Sequence, residues 1–354
     1  TQTADRWPYD QRNVIASQTR YSVNSCTALG IYSPLQSSRV SANNVARLLS
    51  GWTDAEMPTG FVRSLGIARM QAYEAWSQLF LAESFCETVF STVSGENVIY
   101  QGKLTRAQAL DTAIARFSAA ITGATALGTV AGDSIKNFAL AGRARAYQDK
   151  GDLTSARADA VAVPAGFVWN VTASNTNTRR QNRVFQENGV STTPSSSVGL
   201  YYRTLGDPRV SVTNLNKVSN GTNVPLWKQN KYAAVTSSIP VTSATEMQLI
   251  IAEADIVPNR ANTLAIIAAM RTAGAQPAYT GTTPAQDLAE IIDQRRRALW
   301  LTGTNFPDDI RYNLTVSPAQ GTATPWGQTY GSATGSAMCL PLPEVEIFNN
   351  PLLH

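Results

Sequence analysis

The side chains that could do chemistry are few, and their types exclude most reactions. The 354 residues include one histidine, His354, at the last position. An imidazole-activated serine or cysteine, or a histidine-based zinc site, would have to be built on a chain end, where backbone is seldom held. No phosphate-cradling Gly-x-x-x-x-Gly-Lys-Ser/Thr loop and no dinucleotide fingerprint occurs. Paired acids remain, as Asp54 with Glu56, Asp308 with Asp309, and Glu344 with Glu346. Two carboxyls suffice to hydrolyse a glycosidic bond, but these pairs read better as solvated loop acids or helix caps. The sequence therefore predicts no catalytic residue, no metal site and no cofactor. Cys26, Cys86 and Cys339 lie too far apart for a compact Cys-x-x-Cys metal site. An odd count allows at most one internal disulfide, and the expectation is buried free thiols.

What the chain does possess is aromatic residues in loops. Sugar recognition needs flat apolar faces, with amides and charges to read hydroxyls. Of seven tryptophans, Trp76 and Trp300 fall in helical stripes and read as core. Trp52, Trp169, Trp227, Trp326 and Tyr330 fall in expected loops and are the candidate ligand-binding residues, with Asn223, Gln229 and Gln328 as polar neighbours. The competing expectation is that each pins its loop to the body. Asn-x-Ser/Thr sequons stand at Asn170, Asn220 and Asn313.

The charge pattern narrows the partners. Net charge is only +4, and neither Arg179, Arg180 and Arg183 nor Arg295, Arg296 and Arg297 is interleaved with aromatics. Nucleic-acid binding is not expected. Charged residues make up only 15%, well below the usual quarter. That suits an extracellular surface packed against a partner, a carbohydrate layer or copies of itself. No apolar run is long enough to cross a membrane. The chain starts at Thr1 rather than Met, which reads as a processed start after a removed signal or lipoprotein anchor.

The elements that must position these residues are mostly helices. Residues 1–39 read as an extended arm, broken by Pro8 and Pro34, with the first helix capped by Ser41. Apolar residues then recur at three- and four-residue intervals from Phe61 to Val93, predicting one long helix. Another starts at Thr105 and stops near Gly123. Within 137–164, Ala144, Tyr147, Gly151, Asp152, Ala156 and Pro164 have tetratricopeptide spacing: small contacts, a left-handed glycine turn, a proline stop. Residues 165–240 read as an excursion of loops and short strands. Helix pairs resume over 241–303, and 304–354 reads as irregular. The expected fold is mostly α, a helical-repeat scaffold in one continuous body.

Four passages in this order resemble the SusD/RagB family of outer-membrane lipoproteins. They are the pair at 137–164; DPRV at 207–210 followed by KYAAVTSSIPVTSATEMQLIIAEA at 231–254; QRRRALWLTGTNFPDDIR at 294–311; and LPLPEVEIFNNP at 340–351. The resemblance implies a non-catalytic protein on the outer-membrane surface that captures glycan or peptide as the lid of a TonB-dependent, SusC-like barrel. Gln294, Ala298 and Thr302 stand where the family has carboxylates, and Asn305 where it has arginine. These departures imply that a buried ion-pair cluster has given way to neutral contacts. The alternative reading is a structural subunit of a glycosylated extracellular filament or sheath, self-associating through the N-terminal arm; arm-and-groove contacts are heterologous and build open polymers.

Overall fold

The computed structural model describes residues 16–17, 30–190 (without the Arg179 side chain), 194, 196–218, 225–314, 321, 335 and 337–354. Most of the arm expected to self-associate, Cys26, Asn220, Asn223, Trp326, Gln328 and Tyr330 lie outside the described residues. The chain is mostly helical and divides into two compact units, Val14–Phe167 with Ala337–His354, and Thr1–Asn13 with Val168–Ser336.

The first unit is a stack of helices. α1 spans Tyr32–Gly51, so it starts well before Ser41. Its buried stripe already includes Tyr32 and Arg39, ahead of Ala42, Ala46 and Leu49. Pro34 does not break it, because the first turn of a helix needs no amide donors. α2 is Arg63–Ser84 and ends nine residues before the expected Val93. There the chain turns extended to meet the C-terminal segment: Cys86 N–H donates to Leu340 O at 2.9 Å, and Leu340 N–H donates to Ser84 O at 2.8 Å. This pairing brings Cys86 and Cys339 into a disulfide, with Cα atoms 5.0 Å apart. The expectation of buried free thiols is corrected for these two residues. Short antiparallel pairs follow, β1 (Glu87–Thr88) with β4 (Leu104–Thr105) and β2 (Thr92–Ser94) with β3 (Asn97–Ile99).

Thr105 caps α3 (Arg106–Thr125) in a reciprocal box with Gln108. The helix passes Gly123, the expected stop, by two residues. α4 (Val130–Lys150) and α5 (Leu153–Ala162) form the expected pair. Gly151, at φ 80°, makes the left-handed turn, and Asp152 caps α5 by accepting from Ser155 N–H. Alanines 68, 72, 75, 113, 139 and 144 are wholly buried, as close helix approach requires. At Gly142 a Cβ would lie 2.3 Å from Phe117 and 2.9 Å from Trp76, so only hydrogen fits. Trp76 stacks on Phe138 at 5.2 Å and donates its indole N–H to the Phe138 carbonyl. Among these apolar residues, Arg145 grips Glu83 with both ends of its fork at 2.6 and 2.8 Å.

The second unit carries two strand pairs and a helical cluster. β5 (Val168–Val171) pairs antiparallel with β8 (Ile239–Ser243), and β6 (Val212–Val218) with β7 (Pro225–Gln229). α6 (Ala244–Ala254) starts on its Ser243 cap, α7 spans Arg260–Ala273, and α8 (Pro284–Ala298) opens with a Thr283–Gln286 box and proline in its first turn. α9 is Asn305–Arg311. Asp308 and Asp309, expected as solvated acids, are buried. Arg295 meets Asp308 at 2.8 Å, Arg311 meets Asp308 and Glu253 at 2.9 Å each, and Arg296 meets Asp309 at 3.1 Å. The ion-pair cluster that the departures from the family pattern appeared to remove is therefore present; what is neutral is Gln294, which accepts from Arg209 at 2.9 Å. Burial alone would raise the Asp308 carboxyl, but the two guanidinium groups hold it below the ordinary carboxylate range.

Candidate functional site

The site is built in the second unit, where residues 182–190 and 196–202 fold against β7 and the end of α8. Phe185–Gly189 forms a single π turn, an element often found at functional sites. Buried asparagines fix it at both ends. Asn182 accepts from Phe185 N–H and donates to Ser237 O. Asn188 donates to the Ser196 and Trp227 carbonyls and accepts from Gln229 N–H. Between the turn, residues 196–202 and Trp300–Leu301 lies a cavity of about 380 Å³.

One wall is aromatic. Trp300 and Tyr202 lie 5.8 Å apart with ring planes tilted by 33°, and Tyr201 meets Tyr202 edge-on at 4.9 Å. Trp300 is buried with Val198 and Val210, while Tyr202 is half-buried. The Tyr202 hydroxyl has only a long 3.4 Å bond to Asn305. Burial, opposed by Arg296, pushes that hydroxyl up to about 12, so it remains a protonated donor at neutral pH. The lining also carries Arg183, paired with Glu187 at 3.4 Å. Asn188 and Gln229 also line the cavity, but their amides are occupied with backbone, Gln229 bonding both the N–H and the carbonyl of Tyr232. The polar side chains of the lining include the Tyr202 hydroxyl and the Arg183–Glu187 pair. An aromatic slab beside one donor and one ion pair can hold the apolar face of a sugar ring and read its hydroxyls.

Solved structures match this architecture along most of the chain. A SusD superfamily protein from Parabacteroides distasonis is similar with TM-score 0.70 at 14% identity, over 98% of this chain and 88% of that one. A protein described as a laminarin binding SusD-like protein gives 0.68 at 15% identity, over 96% and 86%. A SusD-like carbohydrate binding protein from Bacteroides vulgatus gives 0.61 at 16%, over 86% and 76%. The fold is that of the SusD superfamily. No protein-family model and no curated protein matches the chain.

Within this SusD-like fold the expected ligand residues are dispersed. Trp52 is 47% exposed just past α1, in the first unit. Trp169 is half-buried on β5, beside a bulge. Trp227, on β7, packs against the Val198–Trp300 cluster and carries the Arg203 guanidinium 5.9 Å from its ring centre. Trp300, read from sequence as core, is buried as expected and also lines the cavity. Tyr202 was missed altogether, although the Leu200-Tyr201-Tyr202 run inside a polar loop could have signalled it. Asn170 and Asn313 are exposed, the latter in a left-handed turn at φ 49°.

Proposed function

We propose that the protein is a non-catalytic, extracellular glycan-binding protein of the SusD/RagB family. It holds a sugar in the Tyr202–Trp300 cavity and delivers it to a TonB-dependent, SusC-like barrel. The observation that carries this reading is the cavity itself: lined by aromatic rings and an ion pair, on a fold whose solved members include proteins described as carbohydrate binding and laminarin binding. The Cys86–Cys339 disulfide supports an oxidising, extracytoplasmic location. Among the described residues no helix is long and apolar enough to cross a membrane, so attachment to the surface would come from a lipid or a partner.

Affinity electrophoresis and calorimetry against a polysaccharide panel test the reading. Retardation by at least one glycan is expected, abolished in Tyr202→Ala. Absence of retardation across the panel, or unchanged retardation in that variant, refutes it. Partnership with a barrel predicts co-elution from detergent-solubilised outer membranes with the TonB-dependent protein encoded beside it.

A further inference from the structure

Two cations just behind the cavity's lining bond its wall residues, and neither has a carboxylate partner among the described residues. In this unit Arg209, Arg295, Arg296, Arg297 and Arg311 each meet an acid. Arg203 does not. Its Nε donates to Val198 O at 2.7 Å and its Nη2 to Ser197 Oγ at 3.3 Å, and both residues line the cavity. Its Nη1 has no hydrogen-bond partner among the described residues, and its ring contact is with Trp227. Lys231 likewise donates to the backbone carbonyl of Trp300, another lining residue, and meets no acid among the described residues. Burial, uncompensated in either case, lowers the pKa of both groups. Within the lining, Arg183 and Glu187 cancel. The surroundings of the cavity are therefore left with uncompensated positive charge. Such charge is held where a ligand supplies the missing anion, because a planar guanidinium with an open edge bonds carboxylate or sulfate strongly.

We propose that the ligand is an acidic glycan, carrying a uronate carboxylate or a sulfate ester whose oxygens bond the open edge of Arg203, with Lys231 reinforcing the field. This rests on the reading of the cavity as a sugar site. The test is calorimetry of the whole protein against laminarin, sulfated laminarin and oligogalacturonate. An acidic probe should bind about 10-fold or more tighter than laminarin, as a charge-assisted bond implies. That margin, read as the ratio of acidic-probe to laminarin affinity, should vanish in Arg203→Gln and shrink at high salt; Arg203→Lys, which keeps the charge, should retain part of it. Preference for the sulfated chain alone identifies a sulfate ester, and preference for the galacturonate alone a carboxylate. Laminarin binding as tightly as both acidic probes overturns the inference and leaves the glycan reading standing. Arg203→Gln weakening all three probes alike assigns Arg203 to loop structure and also overturns it. Binding of no probe removes both readings.

Discussion

Removing the Cys86–Cys339 disulfide should destabilise the first unit by an amount that can be worked out beforehand. The bond closes a loop with a sequence separation of 253. Chain-entropy arguments give about 5.5 kcal/mol for closing a loop of this size in the unfolded chain. The value is insensitive to how the chain unfolds, because it depends on the logarithm of length. If Val168–Ser336 stays folded while the first unit opens, roughly 80 residues of free chain are closed instead, and the figure falls only to about 4.5 kcal/mol. Spread over the unfolding entropy of the first unit alone, about 4.5 kcal/mol lowers Tm by roughly 12 °C; if the whole chain unfolds together, about 5.5 kcal/mol lowers Tm by about 7 °C. Differential scanning calorimetry of the Cys86→Ser/Cys339→Ser double variant, beside wild type with and without dithiothreitol, measures this. Reduced wild type and the variant should melt together, well below the oxidised protein. A variant that melts within about 2 °C of the oxidised protein would refute the view that the cross-link acts through the unfolded chain.

Other outcomes follow from single contacts. Gly142→Ala should lower stability by about 1–3 kcal/mol, since its methyl must displace Phe117 or Trp76; an unchanged urea midpoint contradicts that packing. Arg145→Met leaves Glu83 buried without its partner and should destabilise by about 3–5 kcal/mol, with Glu83→Leu/Arg145→Met regaining much of the loss in a double-mutant cycle. The Asp308 carboxyl is depressed in the folded state, so its contribution is present above about pH 4 and fades as pH falls through the folded value. Acid titration of Asp308→Asn should show a shallower loss of stability than wild type. Burial pushes the Lys231 ammonium down to about 8. Between that pH and the unfolded value near 10.4 the unfolded chain holds a proton that the folded chain has lost, so stability rises with pH by up to about 3 kcal/mol. The stability difference between wild type and Lys231→Met should grow in favour of wild type across this window, and a flat difference would contradict the burial.

Local signals carried much of the helical scaffold. Gly151 and Asp152 foretell the turn between α4 and α5 because only a left-handed residue followed by a capping side chain closes such a link. Thr105 and Thr283 mark helix starts for the same local reason. Where the reading of the sequence failed, the deciding partner was remote. α2 stops at Ser84 although its apolar period continues, because backbone donors and acceptors there find Leu340 instead. Asp308 and Asp309 look like turn acids until Arg295, Arg296 and Arg311 are brought against them. Trp300 is buried as the sequence reads, but only the fold shows that residues 196–202 lie beside it and make it also a cavity wall.

The sequence by itself determined the mostly helical class, the small-residue contacts of the helix pairs, the near-absence of histidine chemistry and the resemblance to the SusD/RagB family, since each depends on residue type and short spacing. The disulfide, the buried ion pairs and the cavity were decided only in the tertiary structure. Apart from the Arg311–Asp308 contact within one helix, each joins groups separated by at least a dozen residues, and no periodicity specifies which distant partner will desolvate, neutralise or wall in a given side chain.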